Sequence, residues 1–131
     1  MAKQVKLETL KQVIAYCMKK PGAWLDDPWG GGHNVTKVAD KMFMMAGAMQ
    51  DEPAIAVRCI DLEDRQFWRD KYPDDVGPQP YMVHQPWNRV VIGRSVTSAD
   101  MQEMLDVSYD NVVSRLPKSK RPADYVPMAK D

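Results

Sequence analysis

Two apolar runs separated by only three residues constrain this chain more than any other feature. Residues 34–38 (Asn-Val-Thr-Lys-Val) and 42–47 (Met-Phe-Met-Met-Ala-Gly) flank Ala39-Asp40 and Lys41. So short a connection between strand-like runs makes a tight hairpin, whereas a parallel crossover needs about a dozen residues or more. The chain is thereby committed to an antiparallel sheet. Ile55, Val57 and Cys59 alternate with Ala54, Ala56 and Arg58, which predicts a further half-buried strand. Met42-Phe43-Met44-Met45 is nearly continuous and suits a central strand covered on more than one side.

Helical periodicity surrounds these runs. Leu7, Leu10, Ile14 and Cys17 recur every three or four positions and predict a helix over about residues 5–19, stopped by Pro21-Gly22. Residues 23–32 read as a loop or short edge strand, with Gly30-Gly31-Gly32 as flexible turn chemistry. Asp61 is placed to cap a second helix running through Phe67 and Trp68 to Tyr72 and ending at Pro73. A second hairpin is expected from Tyr81–Val83 and Asn88–Ile92, joined through His84–Trp87. Ser98 then caps a last helix whose inner face is Met101, Met104, Leu105, Ser108, Val112 and Leu116, with Pro117 ending it. The order α-β-β-β-α-β-β-α predicts an α+β two-layer sandwich: an antiparallel sheet of about five strands with helices on one face. Residues 1–116 form one domain, followed by a basic, proline-containing tail over 117–131.

Composition narrows the function classes. At 131 residues with 44% apolar and 27% charged side chains, the chain has the make-up of one folded domain. Eighteen basic residues balance eighteen acidic ones, so no global field draws it to a polyanion. The balance is uneven along the chain: eight basic and six acidic residues over 1–60, six and ten over 61–116, four and two over 117–131. Cys17 and Cys59 lie in apolar-periodic segments and read as buried free thiols of a reduced, cytoplasmic protein. The first residues lack a signal-like apolar core and no run approaches the roughly 18 residues of a membrane span, so neither export nor membrane association is expected.

Several words in the sequence resemble the MmcQ/YjbR family. They are Tyr16-Cys17 with Lys20-Pro21-Gly22-Ala23, Lys37-Val38-Ala39-Asp40-Lys41-Met42-Phe43, Tyr72-Pro73, Trp87-Asn88-Arg89-Val90, Ser108-Tyr109-Asp110-Asn111-Val112-Val113 and Leu116-Pro117-Lys118. The resemblance runs over about residues 6–121. It implies a helix and antiparallel-sheet domain comparable in shape with the frataxin-like CyaY and with type III secretion chaperones. It also implies DNA binding, since members are so described for two hairpins that project like wings. It brings no catalytic motif. Pro86 stands where relatives often have a histidine before the tryptophan.

Duplex DNA is accordingly one expected partner. The candidate contacts are Lys37 and Lys41 on the first hairpin, Arg89 on the second, Arg58 on the strand between them, and Lys118, Lys120 and Arg121 in the tail. The alternative is a peptide, partner protein or small aromatic ligand held in a groove lined by Trp24, Trp29, Met44 and Trp87. His33 and His84 have no ligand-spaced partners, and the acidic pairs Asp26-Asp27, Asp51-Glu52 and Asp74-Asp75 sit in turns beside proline or glycine or close to them. No metal, no cofactor and no enzymatic reaction is expected.

Overall fold

The computed structural model describes residues 5–27, 34–46 and 53–128. Three helices are each started by a side-chain cap. In α1 (Leu10–Met18) the Thr9 hydroxyl accepts from the Gln12 amide at 3.1 Å, and the Gln12 side chain accepts from the Thr9 amide at 3.2 Å. The helix therefore begins later than its apolar pattern. Residues 5–8 precede it, and the buried Leu7 donates its amide to the Ser98 hydroxyl at 2.9 Å. Asp61 caps α2 (Leu62–Lys71), with Glu63 and Asp64 in the first turn and Arg69 and Lys71 in the last, matching the helix dipole at both ends. Thr97, not Ser98, caps α3 (Ser98–Ser114), because the Ser98 hydroxyl is engaged with Leu7.

The sheet has six strands rather than five: β1 (Ala23–Asp26), β2 (Asn34–Val38), β3 (Lys41–Ala46), β4 (Ala54–Arg58), β5 (Val76–Pro78) and β6 (Trp87–Val91). Their order is β1-β2-β3-β4-β6-β5 and every pairing is antiparallel. The β2–β3 hairpin turns at Ala39-Asp40, with Ala39 in the left-handed region at φ 53°. The second hairpin differs from expectation. Val76–Pro78, not Tyr81–Val83, pairs with β6, and Tyr81 lies in the connection with φ 69° and 90% exposure. Tyr81 and Val83 resemble a strand in type, but they face solvent.

Strand alternation sorts the sheet into two faces. One carries the row Ala46, Ile55, Val90 and Val76, which joins Val13, Cys17, Trp68, Met101, Leu105 and Tyr109 of the helices in a single core. The other carries the row Val35, Met45, Ala56, Arg89 and Gly77. A register shift at Thr36/Lys37 leaves Phe43 without a partner in β2. Phe43 and Met44 are consequently buried in succession, which explains the unbroken apolar run of β3.

The helical surface is closed by residues beyond α3. A 3-10 turn (Lys118–Lys120) follows it, and Tyr125 then packs edge-on to Tyr109, its hydroxyl donating to Asp110. The stretch to Met128 is thus docked rather than loose. Among the described residues, no helix is long and apolar enough to cross a membrane.

Candidate nucleic-acid interface

The seven expected cations do not gather on the hairpins. Lys37 is held by Asp26 at 2.8 Å and lies over the Trp24 ring at 5.4 Å. Lys41 is exposed at the start of β3. Arg89 stands opposite Ala56 on the sheet face away from the helices. Three strand spacings, about 14 Å, separate β2 from β6. Across that span the face presents Met45 and Ala56, so Lys37 and Arg89 do not form one positive strip.

Four of the seven cluster elsewhere, at the C-terminal end of α3. Arg58 closes β4, and its Nε donates to Asn111 Oδ1 of α3 at 2.7 Å. Burial first, and then the charge of Arg115, holds the Arg58 guanidinium below its ordinary value. Arg121 folds back on the helix end, donating to the Leu116 and Ser114 carbonyls at 3.0 and 2.8 Å. Those carbonyls lie where a helix terminus leaves acceptors unsatisfied. Lys118 and Lys120 are exposed on the turn between them. Arg115, the C-cap residue, is a member that the sequence reading missed. Its position just before Leu116-Pro117 and the Lys-Ser-Lys-Arg run was the available signal. Among the described residues, Arg115, Lys118 and Lys120 form no ion pair. Nearby carboxylates are Asp110, which accepts from Tyr125 and the Met128 amide, and Asp124.

The expected aromatic and methionine groove is not assembled. Met44 is 0% exposed and Trp87 4%, so neither lines an open surface. Each was misplaced for its own reason: Met44 follows the bulge into the core, and Trp87 begins a paired strand instead of ending a loop. Trp24 is 42% exposed, but its indole N–H donates to Ala39 O at 2.7 Å and its ring lies under Lys37. Trp29 lies outside the described residues. A shallow cleft between α2 and α3, lined by Val57, Cys59, Trp68, Met104 and Val107 with the charged Arg58 and Asp64, has a cavity volume of about 10 Å³, room for a single water. Pockets for drug-sized ligands span roughly 300–1,000 Å³.

Comparison with known proteins decides the lineage. The YjbR family model matches residues 18–111. The chain belongs to the MmcQ/YjbR family. YjbR of Escherichia coli, in strains K12 and O157:H7, is 28% identical over 115 residues, covering 86% of this chain and 94% of the relative. A Deinococcus radiodurans protein of known crystal structure superposes with TM-score 0.80 at 20% identity, over 90% of this chain and 88% of that one. A Pseudomonas syringae protein does so with TM-score 0.60 at 18% identity, over 75% and 93%. At those identities the likeness is one of fold.

The words typical of the MmcQ/YjbR family turn out to be joints of the fold. Lys20 pairs with Asp106, which also accepts from the Tyr16 hydroxyl, tying α1 to α3. Tyr109 donates to the Pro21 carbonyl at the α1–β1 turn. Asn88 accepts from Arg69 Nε at 2.7 Å and donates to the Arg65 carbonyl at 3.1 Å, seating α2 on β6. Ser108 bridges Phe43 O and the Arg58 amide. What the family words specify in this chain is how helices attach to the sheet.

Proposed function

We propose that this protein is a non-enzymatic binding protein that docks on the phosphate backbone of duplex DNA through the C-terminal end of α3. The observation carrying this reading is the cluster of Arg58, Arg115, Lys118, Lys120 and Arg121 around one helix end. Three of these cations have no ion-pair partner among the described residues. An overall neutral chain contacts a polyanion only where its fold segregates charge, and this is where it does so. Arg121 is occupied with helix carbonyls, which leaves Arg115, Lys118 and Lys120 as the phosphate contacts and Arg58 as a partly buried support. Lys37 contributes little, because it is already neutralised by Asp26.

Backbone contacts of this kind position a protein without reading sequence. Binding is therefore weak and steeply salt-dependent. Three phosphate contacts reduce affinity by about 40-fold between 50 and 200 mM salt. Fluorescence anisotropy of a labelled duplex tests this directly. Combined Arg115→Ala, Lys118→Ala and Lys120→Ala substitution is expected to abolish binding, and Lys37→Ala to leave it nearly unchanged. Absence of binding by micromolar protein at 50 mM salt, or indifference to the triple substitution, overturns the reading.

A further inference from the structure

The structure holds a second pair of cations that the interface does not use. Arg65 and Arg69 lie four residues apart on α2, on the side facing β6 and the connection over residues 79–86. Like charges at that spacing repel one another along a helix. The usual remedy is a carboxylate, yet among the described residues neither arginine forms an ion pair. Among the described residues their hydrogen-bond partners are neutral. Arg65 Nη1 donates to the carbonyls of Val83 and Gln85 at 3.0 and 2.9 Å, and Arg69 Nε donates to Asn88 Oδ1. Each guanidinium also keeps one buried donor with no acceptor, Nε of Arg65 and Nη2 of Arg69. A guanidinium does not shed its proton, so the pair stays doubly positive. Two buried N–H groups without acceptors, on two uncompensated charges, describe a place for an anion that accepts several hydrogen bonds.

We propose that Arg65 and Arg69 form a binding site for one phosphate group, presented as inorganic phosphate or a small phosphate monoester beneath the 79–86 segment. A tetrahedral oxyanion offers acceptors to both unpartnered donors at once and supplies the missing negative charge. Burial and the charge of Arg65 hold the Arg69 guanidinium below its ordinary value, the direction expected of a cation lacking its counter-ion. Since the two donors are closed off from solvent, the segment lifts to admit the ligand. Arg65, which grips the Val83 and Gln85 carbonyls, then re-forms its hold once the anion is in place. A small ligand fits this enclosure, and a polymer backbone does not.

The test uses the full chain and inorganic phosphate, with sodium chloride at matched ionic strength as reference. Phosphate at about 10 mM is expected to raise the melting temperature by about 4 °C over chloride if it binds with millimolar affinity. It is also expected to protect the 79–86 segment from limited proteolysis. Arg69→Gln, which keeps a polar amide but removes the charge and most of the donors, abolishes both effects, while Lys118→Ala with Lys120→Ala retains them. Arg69→Gln keeps its affinity for duplex DNA, so this site and the α3 cluster fail or succeed separately. Equal stabilisation by phosphate and chloride in the wild-type protein overturns the proposal whether or not the variant folds. So does a phosphate effect that survives Arg69→Gln, or a variant that loses DNA binding with no phosphate effect in the wild type.

Discussion

Cys17 and Cys59 show how far burial alone sets chemistry. Both thiols are pushed from 9.0 up to about 12, chiefly by burial, so at neutral pH they are protonated and poor nucleophiles. Ellman's reagent at pH 8 is expected to label them only after unfolding; rapid reaction of the native protein contradicts the placement. The same shift sets alkaline stability. A thiol ionising more readily in the unfolded chain leaves stability intact below about pH 9. It then removes about 1.4 kcal/mol per pH unit until the folded value is passed. Asp75 has the opposite sign. Ser95 donates its hydroxyl and its amide to this carboxylate, the amide at 3.1 Å, and Arg94 adds a weaker contact at 3.5 Å. The Ser95 hydroxyl chiefly holds the carboxyl below its ordinary value. Its stabilisation is present above about pH 4 and is lost as pH falls through the depressed folded value. Asp75→Asn is therefore expected to lower stability at pH 7 by about 1–3 kcal/mol. The gap from wild type should close in acid, and urea titrations at pH 7 and pH 3 measure both ends.

At the scale of elements, the join between β3 and β4 is completed at one end by a hydroxyl. Pairing of these strands ends at Met44 and Val57, and the next rung would join Phe43 to Arg58. The bulge interrupts it, and Ser108 of α3 fills the gap by donating to Phe43 O and accepting from the Arg58 amide at 2.9 Å. Ser108→Ala leaves both backbone groups without a partner in a buried setting and is expected to cost about 1–3 kcal/mol, read as a lower urea midpoint with unchanged slope. That serine was legible as an inner-face position from its spacing with Leu105 and Val112, but its partners were not. Periodicity reports which way a side chain points and nothing about the backbone it meets. The same limit explains the strand that was left open and the one that was misplaced. In β1 the exposed Trp24 and Leu25 break the alternation, as an edge strand can, and β5 is three residues containing glycine and proline. The long helices and the two-residue hairpin were readable because one-sided burial enforces their patterns.

For the whole molecule, charge placement depends on which ends of elements meet, and no local pattern records that. Lys118, Lys120 and Arg121 are adjacent in sequence and were visible as a basic run, whereas Arg58 joins them only because β4 ends beside Asn111 of α3. Within this run the folded chain divides the labour. Arg121 spends two donors on the Ser114 and Leu116 carbonyls, while Lys118 and Lys120 extend into solvent. The two kinds of cation should therefore respond in opposite ways. Arg121→Ala removes donors from a helix terminus and is expected to lower the melting temperature by several degrees, with the salt dependence of DNA binding little changed. Lys118→Ala with Lys120→Ala removes only exposed charge and should alter stability by no more than about 0.5 kcal/mol. It should flatten the dependence of log affinity on log salt by about 1.8, the share of two phosphates. Calorimetry beside anisotropy at four salt concentrations separates the outcomes. If both substitutions changed the salt slope equally and neither changed melting, Arg121 would be a surface contact like its neighbours. The attachment of the chain's end to α3 would then rest on Tyr125 and Asp110 alone.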